Sequence, residues 1–480
     1  MRCPTLLASR SSNRDRAIAI ILAGACAAVA ASNSLGQTCE EFTWTQSPTA
    51  TTPPSAIGVD LVYDPVRHVC MTTIGTVDGP QTWEWDGVDW SLRNSGDGPG
   101  GQGNFSAVYD TLHAFMLLYS QTGETWSWDG NQWTQLATTG PGPRYKPGLA
   151  FDSDRGVAVL FDGSFSRDTW EWDGTAWTLV NQIDPQNPWL YGPLPRNSCS
   201  MWYDPVRQRT VMCCGDGAGY ERFYDTWLWD GQAWEVTLGL PYTAGRFAAA
   251  AAYDSSRGVG VLFGGATGHF GNFWFGDTWE YGADGVWRQV ATQGPAPTPY
   301  AALAYDADRH QSVLVGGFNF GQTWIWQPRP IHGGPSITTQ PVDQTVSLGA
   351  QAEFSVLAGG EGTITYQWRH DQVPLADDAN ISGSRTATLS IHQVMSDNAG
   401  SYDVVVTNPC DSLISDPARL VIEYCPADFN TDGMLNSQDF FDFLTAFFTA
   451  SPSADVDGSG VVDSADFFTF LGLFFAGCGA

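Results

Sequence analysis

The feature that most constrains this chain is a recurring pattern, Thr-Trp-x-Trp-Asp-Gly-x-x-Trp. It is complete at Thr82–Trp90, Thr125–Trp133, Thr169–Trp177 and Thr226–Trp234. A looser copy runs from Thr278 to Trp287, and a sixth stops at Thr323-Trp324-Ile325-Trp326. Thr, Trp and Tyr suit a pleated, half-buried surface, and Asp-Gly between aromatic runs marks a tight hairpin turn. Each copy therefore predicts two antiparallel strands, C and D. A supersecondary unit repeated along a chain means a solenoid or a propeller.

Each copy has an upstream partner. Tyr63-Asp64, Tyr109-Asp110, Phe151-Asp152, Tyr203-Asp204, Tyr253-Asp254 and Tyr305-Asp306 each end an apolar strand A. A turn and a second apolar strand B follow, as in Gly260-Val261-Leu262-Phe263-Gly264-Gly265. Four antiparallel strands in six copies predict a six-bladed β-propeller. The sixth copy lacks strand D, because the chain runs into Gln327-Pro328-Arg329-Pro330. The segment Phe42-Thr43-Trp44-Thr45-Gln46 resembles the D strand Gln132-Trp133-Thr134-Gln135. The N-terminal strand is thus expected to complete the last blade, which removes an open sheet edge.

The Tyr-Asp, Gly-Gly and spaced Trp features resemble kelch-type repeats over residues 38–328. The diglycine is clear at Gly264-Gly265 and Gly316-Gly317.

The ends of the chain bear on location. Residues 1–36 read as a secretory signal peptide, with Arg2, Arg10, Arg14 and Arg16 ahead of the apolar run Ala17–Ala31. That run is too short to span a membrane, so a secreted, extracellular or cell-surface protein is expected. The full chain carries a net charge of −29, and losing four arginines and Asp15 with the signal takes it to −32. Such a charge argues against nucleic acid as a partner and suits a protein that holds cations. Export permits disulfides. Cys425 with Cys478 would clasp the C-terminal segment. Cys199 and Cys213 stand roughly opposite one another on strands A and B of the fourth unit and could pair or remain reduced.

After a linker at 329–335, residues 336–423 change to alternating strands. The stretches Ala352–Val356, Tyr366-Gln367-Trp368, Leu389-Ser390-Ile391 and Asp397–Tyr402 resemble a bacterial immunoglobulin-like domain. The resemblance implies Trp368 as core tryptophan and Tyr402 as the tyrosine corner. Phe354 and Val404 stand where the usual disulfide would be, and Cys410 lies beyond with no evident partner. A spacer role is expected.

Residues 425–480 hold the sharpest chemistry. Asp428, Asn430, Asp432, Asn436 and Asp439 occupy loop positions 1, 3, 5, 9 and 12, with Gly433 at position 6 and the Met434 carbonyl at position 7. Asp455, Asp457, Ser459, Asp463 and Asp466 repeat the scheme, with Gly460 and the Val461 carbonyl. Calcium needs six to eight oxygens on a flexible loop, so two calcium ions are expected. Phe440, Leu444 and Phe447 recur as Phe467, Leu471 and Phe474, at helical spacing. The segment resembles a type I dockerin, which implies a cohesin-like partner.

The fold class expected is mainly β and multidomain: propeller, immunoglobulin-like β-sandwich, and a small α-helical calcium-loop domain. D–A and B–C loops share one propeller face, and the long loops lie there. They carry Trp189, Tyr191, Tyr220, Phe273 and Trp274, while Arg144, Arg196 and Arg246 open strand A of units three to five. Aromatic planes beside charged donors suit stacking on sugars and gripping carboxylates. No catalytic constellation is identified. The expectation is a secreted modular binding protein whose propeller recognises a glycan or a surface protein, with a calcium-dependent tail for attachment. The alternative is a secreted carbohydrate-active enzyme, a glycoside hydrolase or oxidase of polysaccharide breakdown.

Overall fold

The computed structural model describes residues 38–54, 60–100, 103–182, 192–217, 222–268, 273–318, 321–423, 425–432 and 434–477. The expected signal peptide, Gly433 and Cys478 lie outside them.

Six four-stranded antiparallel sheets account for the repeats. The first is Leu61–Asp64, Val69–Thr76, Gly79–Trp85 and Trp90–Ser95, paired in that order. In the sixth, Ala301–Asp306, Gln311–Gly316 and Thr323–His332 are followed by Thr38–Ser47 as the outer strand. Trp44 lies opposite Trp326 and Gln46 opposite Trp324, so the N-terminal strand supplies the missing D strand. The leading strands of successive sheets pack side by side, and Leu61–Asp64 touches both Ser106–Asp110 and Ala301–Asp306.

Local chemistry explains the repeat. Asp64 Oδ1 accepts from Val66 N at 2.9 Å and from Arg67 N at 3.0 Å, which shapes the turn after each leading strand. In the hairpin, Asp86 Oδ1 accepts from Val88 N at 2.8 Å and Asp89 N at 2.9 Å. Gly87 follows with φ +99°, a conformation that costs glycine nothing.

The final Trp of the pattern packs on the second Trp of its own hairpin, with Trp85 and Trp90 centroids 5.6 Å apart. Its indole N–H reaches the pattern Thr of the preceding sheet. Trp133 donates to Thr82 Oγ1 at 2.8 Å, Trp177 to Thr125 at 2.7 Å, Trp234 to Thr169 at 2.9 Å and Trp287 to Thr226 at 2.9 Å. Trp44 donates to Thr278 and Trp90 to Thr323, both at 2.8 Å, and these two bonds link the ends of the series.

The immunoglobulin-like segment packs Phe354, Trp368, Tyr402 and Val404 at 0–1 % exposure. The Tyr402 hydroxyl donates to Asn398 O at 2.8 Å. Cys410 has a partner after all, because it is disulfide-bonded to Cys39 at the start of the N-terminal strand. Separated by 371 residues in sequence, the two could not be matched before the fold brought them together. Cys199 and Cys213 are not bonded to each other. The register places Ser200, not Cys199, opposite Cys213. Burial pushes the Cys199 thiol up to about 12, leaving an inert thiol. Cys425 is disulfide-bonded.

Two helices close the chain, α1 (Ser437–Phe448) and α2 (Ser464–Ala476). Phe443 and Phe470 stack at their centre at 3.9 Å, with Ala427 and Ala454 completing the buried set. The predicted stripe residues Phe440, Phe447, Phe467 and Phe474 surround that pair and are only half-buried.

Thr278→Val should cost about 1–3 kcal/mol, because it leaves the Trp44 indole N–H buried and unpaired. A lower urea midpoint with an unchanged slope is expected, and Thr82→Val should match it in size.

Candidate ligand face and calcium loops

The three arginines are buried. Arg144 is 4 % exposed, and Arg196 and Arg246 are 0 % exposed. Each grips one aspartate with both terminal nitrogens. Arg144 meets Asp168 at 2.7 and 2.7 Å, Arg196 meets Asp225 at 2.7 and 2.9 Å, and Arg246 meets Asp277 at 2.7 and 3.1 Å. Further donors go to loop carbonyls, as from Arg196 to Cys214 O at 3.0 Å, whereas Arg144 Nε is buried without a hydrogen-bond partner. Phe223 and Phe275 cover Arg196 and Arg246, each 4.0 Å from the guanidinium carbon. The arginines therefore fasten loops and offer no open guanidinium to a ligand. The sequence did hold a signal for this. Asp stands immediately before Thr-Trp only in units three, four and five, the units whose A strand opens with Arg. Elsewhere that place is Gln81, Glu124 or Gln322, and Gln81 and Gln322 accept from Trp83 and Trp324.

Burial raises the Asp225 carboxyl, and the Arg196 charge and its hydrogen bonds more than offset this, so the net shift is downward. Asp216, half-buried nearby, is pushed up to about 6 by desolvation, against the Arg222 charge.

The aromatic residues divide differently. Trp189, Tyr191 and Tyr220 lie outside the described residues. Phe273 and Trp274 form one strand of a two-stranded ribbon with Ala266–Thr267. They are 69 % and 44 % exposed. Trp274 stacks on Phe318 at 4.9 Å and 16°. Phe318 escaped the sequence reading, although it follows Gly316-Gly317 in the equivalent loop of the next sheet. Tyr224 and Tyr242 make a second exposed pair, edge to face at 5.3 Å.

Between the leading strands lies a cavity of about 110 Å³. Lys146, the sole lysine of the chain, places Nζ 2.7 Å from Asp60 Oδ1 there. Ligand pockets span roughly 300–1,000 Å³, so this cavity suits water, and the surface loops are the better ligand site.

In the second acidic loop, oxygens of Asp455, Asp457 and Asp466 lie within 4.8 Å of one another. Asp455 Oδ2 accepts from Gly460 N at 2.8 Å, whereas Oδ1 is buried with no hydrogen-bond partner. An orphaned carboxylate oxygen among converging carboxylates fits a hard cation. In both loops the residue at position 9 caps the following helix: Asn436 accepts from Gln438 N at 2.8 Å and Asp463 from Ala465 N at 2.7 Å. Asp439 and Asp466, at position 12, bond back to backbone N–H groups of positions 3 and 9.

Residues 335–416 match the immunoglobulin I-set domain family. The chain is thus a mainly β, multidomain protein with an I-set domain in its C-terminal half. It is similar to Endoglucanase C of Cellulomonas fimi, 34 % identical over 158 residues, which is 29 % of this chain and 14 % of that protein. Among solved structures it is similar to a chimeric titin Z1Z2, at 27 % identity and TM-score 0.18, covering 19 % of this chain and 96 % of that one. Titin domain M7 matches at 29 % identity and TM-score 0.17, covering 18 % and 93 %. Among the described residues no helix is long and apolar enough to cross a membrane.

Arg196→Ala should destabilise the protein by about 3 kcal/mol at pH 7, because half-buried Asp225 loses its charged partner and is left with the Trp227 indole N–H, at 2.7 Å. Asp225 is depressed in the fold, so its contribution is present above its unfolded value of about 3.9 and lost as pH falls through the folded one. The gap between variant and native protein in urea melts should therefore narrow below about pH 4.

Proposed function

We propose that this protein is a secreted, modular, non-catalytic glycan-binding protein. The observation that carries the reading is the exposed Trp274, held flat against Phe318 on the loop-bearing side of the fifth and sixth sheets. A fixed, half-exposed aromatic plane loses little entropy on binding and matches the apolar face of a pyranose ring. The similarity of one segment to an endoglucanase supports a place in polysaccharide recognition.

On this reading the six sheets form a six-bladed, kelch-like propeller over residues 38–328. Cyclic packing of their leading strands and the cyclic Trp–Thr bonds support that architecture. Residues 425–480 act as a dockerin-like calcium module that attaches the protein to a cohesin-like partner. Asp428, Asn430, Asp432, Asn436 and Asp439, with the Met434 carbonyl, would hold one calcium ion. Asp455, Asp457, Ser459, Asp463 and Asp466, with the Val461 carbonyl, would hold the other. Calcium would relieve repulsion among these carboxylates and set the loops from which α1 and α2 start.

Chelation by EDTA should lower helical circular dichroism and expose residues 425–477 to protease, both reversed by calcium. Asp455→Ala should reduce the stoichiometry in calcium titration from two ions to one. Trp274→Ala should weaken binding to the glycan-array ligand of the native protein by at least tenfold without changing the thermal midpoint. An unchanged affinity would remove this aromatic plane from the site.

A further inference from the structure

The Trp274 plane opens onto a surface groove that no motif marked. One part, about 380 Å³, has Trp274 at its end and is walled by residues 275–277 and 292–297. A second part, about 570 Å³, runs between the outer strand Trp287–Ala291 of the fifth sheet and the N-terminal strand, and it ends on Gly362 and Thr363 of the I-set domain. Thr292 and Gln293 line both parts, so the two adjoin along that segment.

The walls have a consistent chemistry. Gln289, Thr292 and Gln293 are exposed along the strand edge. At the far end Glu41 bridges the two domains: Oε1 accepts from Thr363 N at 2.9 Å, and Oε2 pairs with Arg329 at 3.3 Å. The Arg329 side chain remains 54 % exposed. The far wall is fastened as well. Cys39–Cys410 ties the N-terminal strand to the I-set domain, and Asn408 Nδ2 donates to Gly333 O and Glu361 O, both at 3.0 Å. A groove whose walls are already fixed avoids an ordering cost when it binds.

We infer that this groove, from Trp274 to the Arg329–Thr363 junction, binds an internal segment of a neutral, unbranched polysaccharide, with the I-set domain forming one end of the site. The inference rests on the glycan-binding reading and extends it. An aromatic plane followed by amides, hydroxyls and one guanidinium suits repeated sugar rings with flat apolar faces and hydroxyl rims. The net charge of −29 disfavours polyuronates and sulfated chains. Both parts are open to solvent rather than enclosed, which suits a chain passing through better than a terminal sugar.

Isothermal titration of the full secreted chain would use cellobiose, cellohexaose, xylobiose, xylohexaose and polygalacturonate. At least one neutral hexasaccharide should bind tenfold or more tightly than its disaccharide. Gln289→Ala combined with Arg329→Ala, both outside the part bordered by Trp274, should abolish that gain and leave disaccharide affinity unchanged, with the thermal midpoint confirming folding. Trp274→Ala should weaken both lengths. A gain that survives in the double variant would overturn the groove and leave the Trp274 site standing. Tighter binding of polygalacturonate would overturn the neutral class. No binding of any glycan by the native chain would overturn both the groove and the reading beneath it.

Discussion

The bond on which the architecture depends joins an indole N–H to a threonine hydroxyl in the neighbouring sheet. Six such pairs occur, and the six threonines are 0–1 % exposed. A buried indole donor without a partner is costly, so each sheet must keep its neighbour at a set distance and register. The same Trp also stacks on the second aromatic residue of its own hairpin. One side chain thereby specifies both a hairpin and a sheet-to-sheet contact. Each sheet is bonded in this way to two neighbours.

The ends of the series meet through the N-terminal strand. Thr38–Ser47 pairs along its whole length with Thr323–His332, and Trp44 contributes the bond to Thr278. The strand is also the anchor of the I-set domain, through Cys39 and Glu41. The same strand therefore completes the sixth sheet and holds the second domain. Gly362 and Thr363 of the I-set domain thereby come to line the surface hollow beside the N-terminal strand.

Charge is handled locally. Arginines that look in sequence like recognition groups are each paired with an aspartate beneath the loops, where they also hold loop carbonyls in place. Lys146 does the same between the leading strands. Its partner Asp60 also accepts from Ala107 N at 2.7 Å, so one ion pair fastens three sheets. The acidic excess is concentrated elsewhere, notably in the two loops ahead of α1 and α2.

Period and turn chemistry were legible in the sequence, because they depend on residues close together in the chain. The Trp hairpins, the Tyr-Asp turns, the Trp368 core and the helix positions all follow from local propensity and spacing, and the displaced D strand could be found because it repeats a local pattern. The buried centre of the C-terminal helices, Phe443 against Phe470, was less legible, since two phenylalanine-rich helices offer several equivalent faces. The sequence by itself determined mainly β units, an immunoglobulin-like segment and a pair of acidic loops. Only the tertiary structure decided that Arg196 meets Asp225, that Cys39 meets Cys410, and that Gln293 borders both the hollow beside Trp274 and the one beside Thr363. Such pairings join residues far apart in the chain, and their partners are set by sheet packing rather than by any local preference.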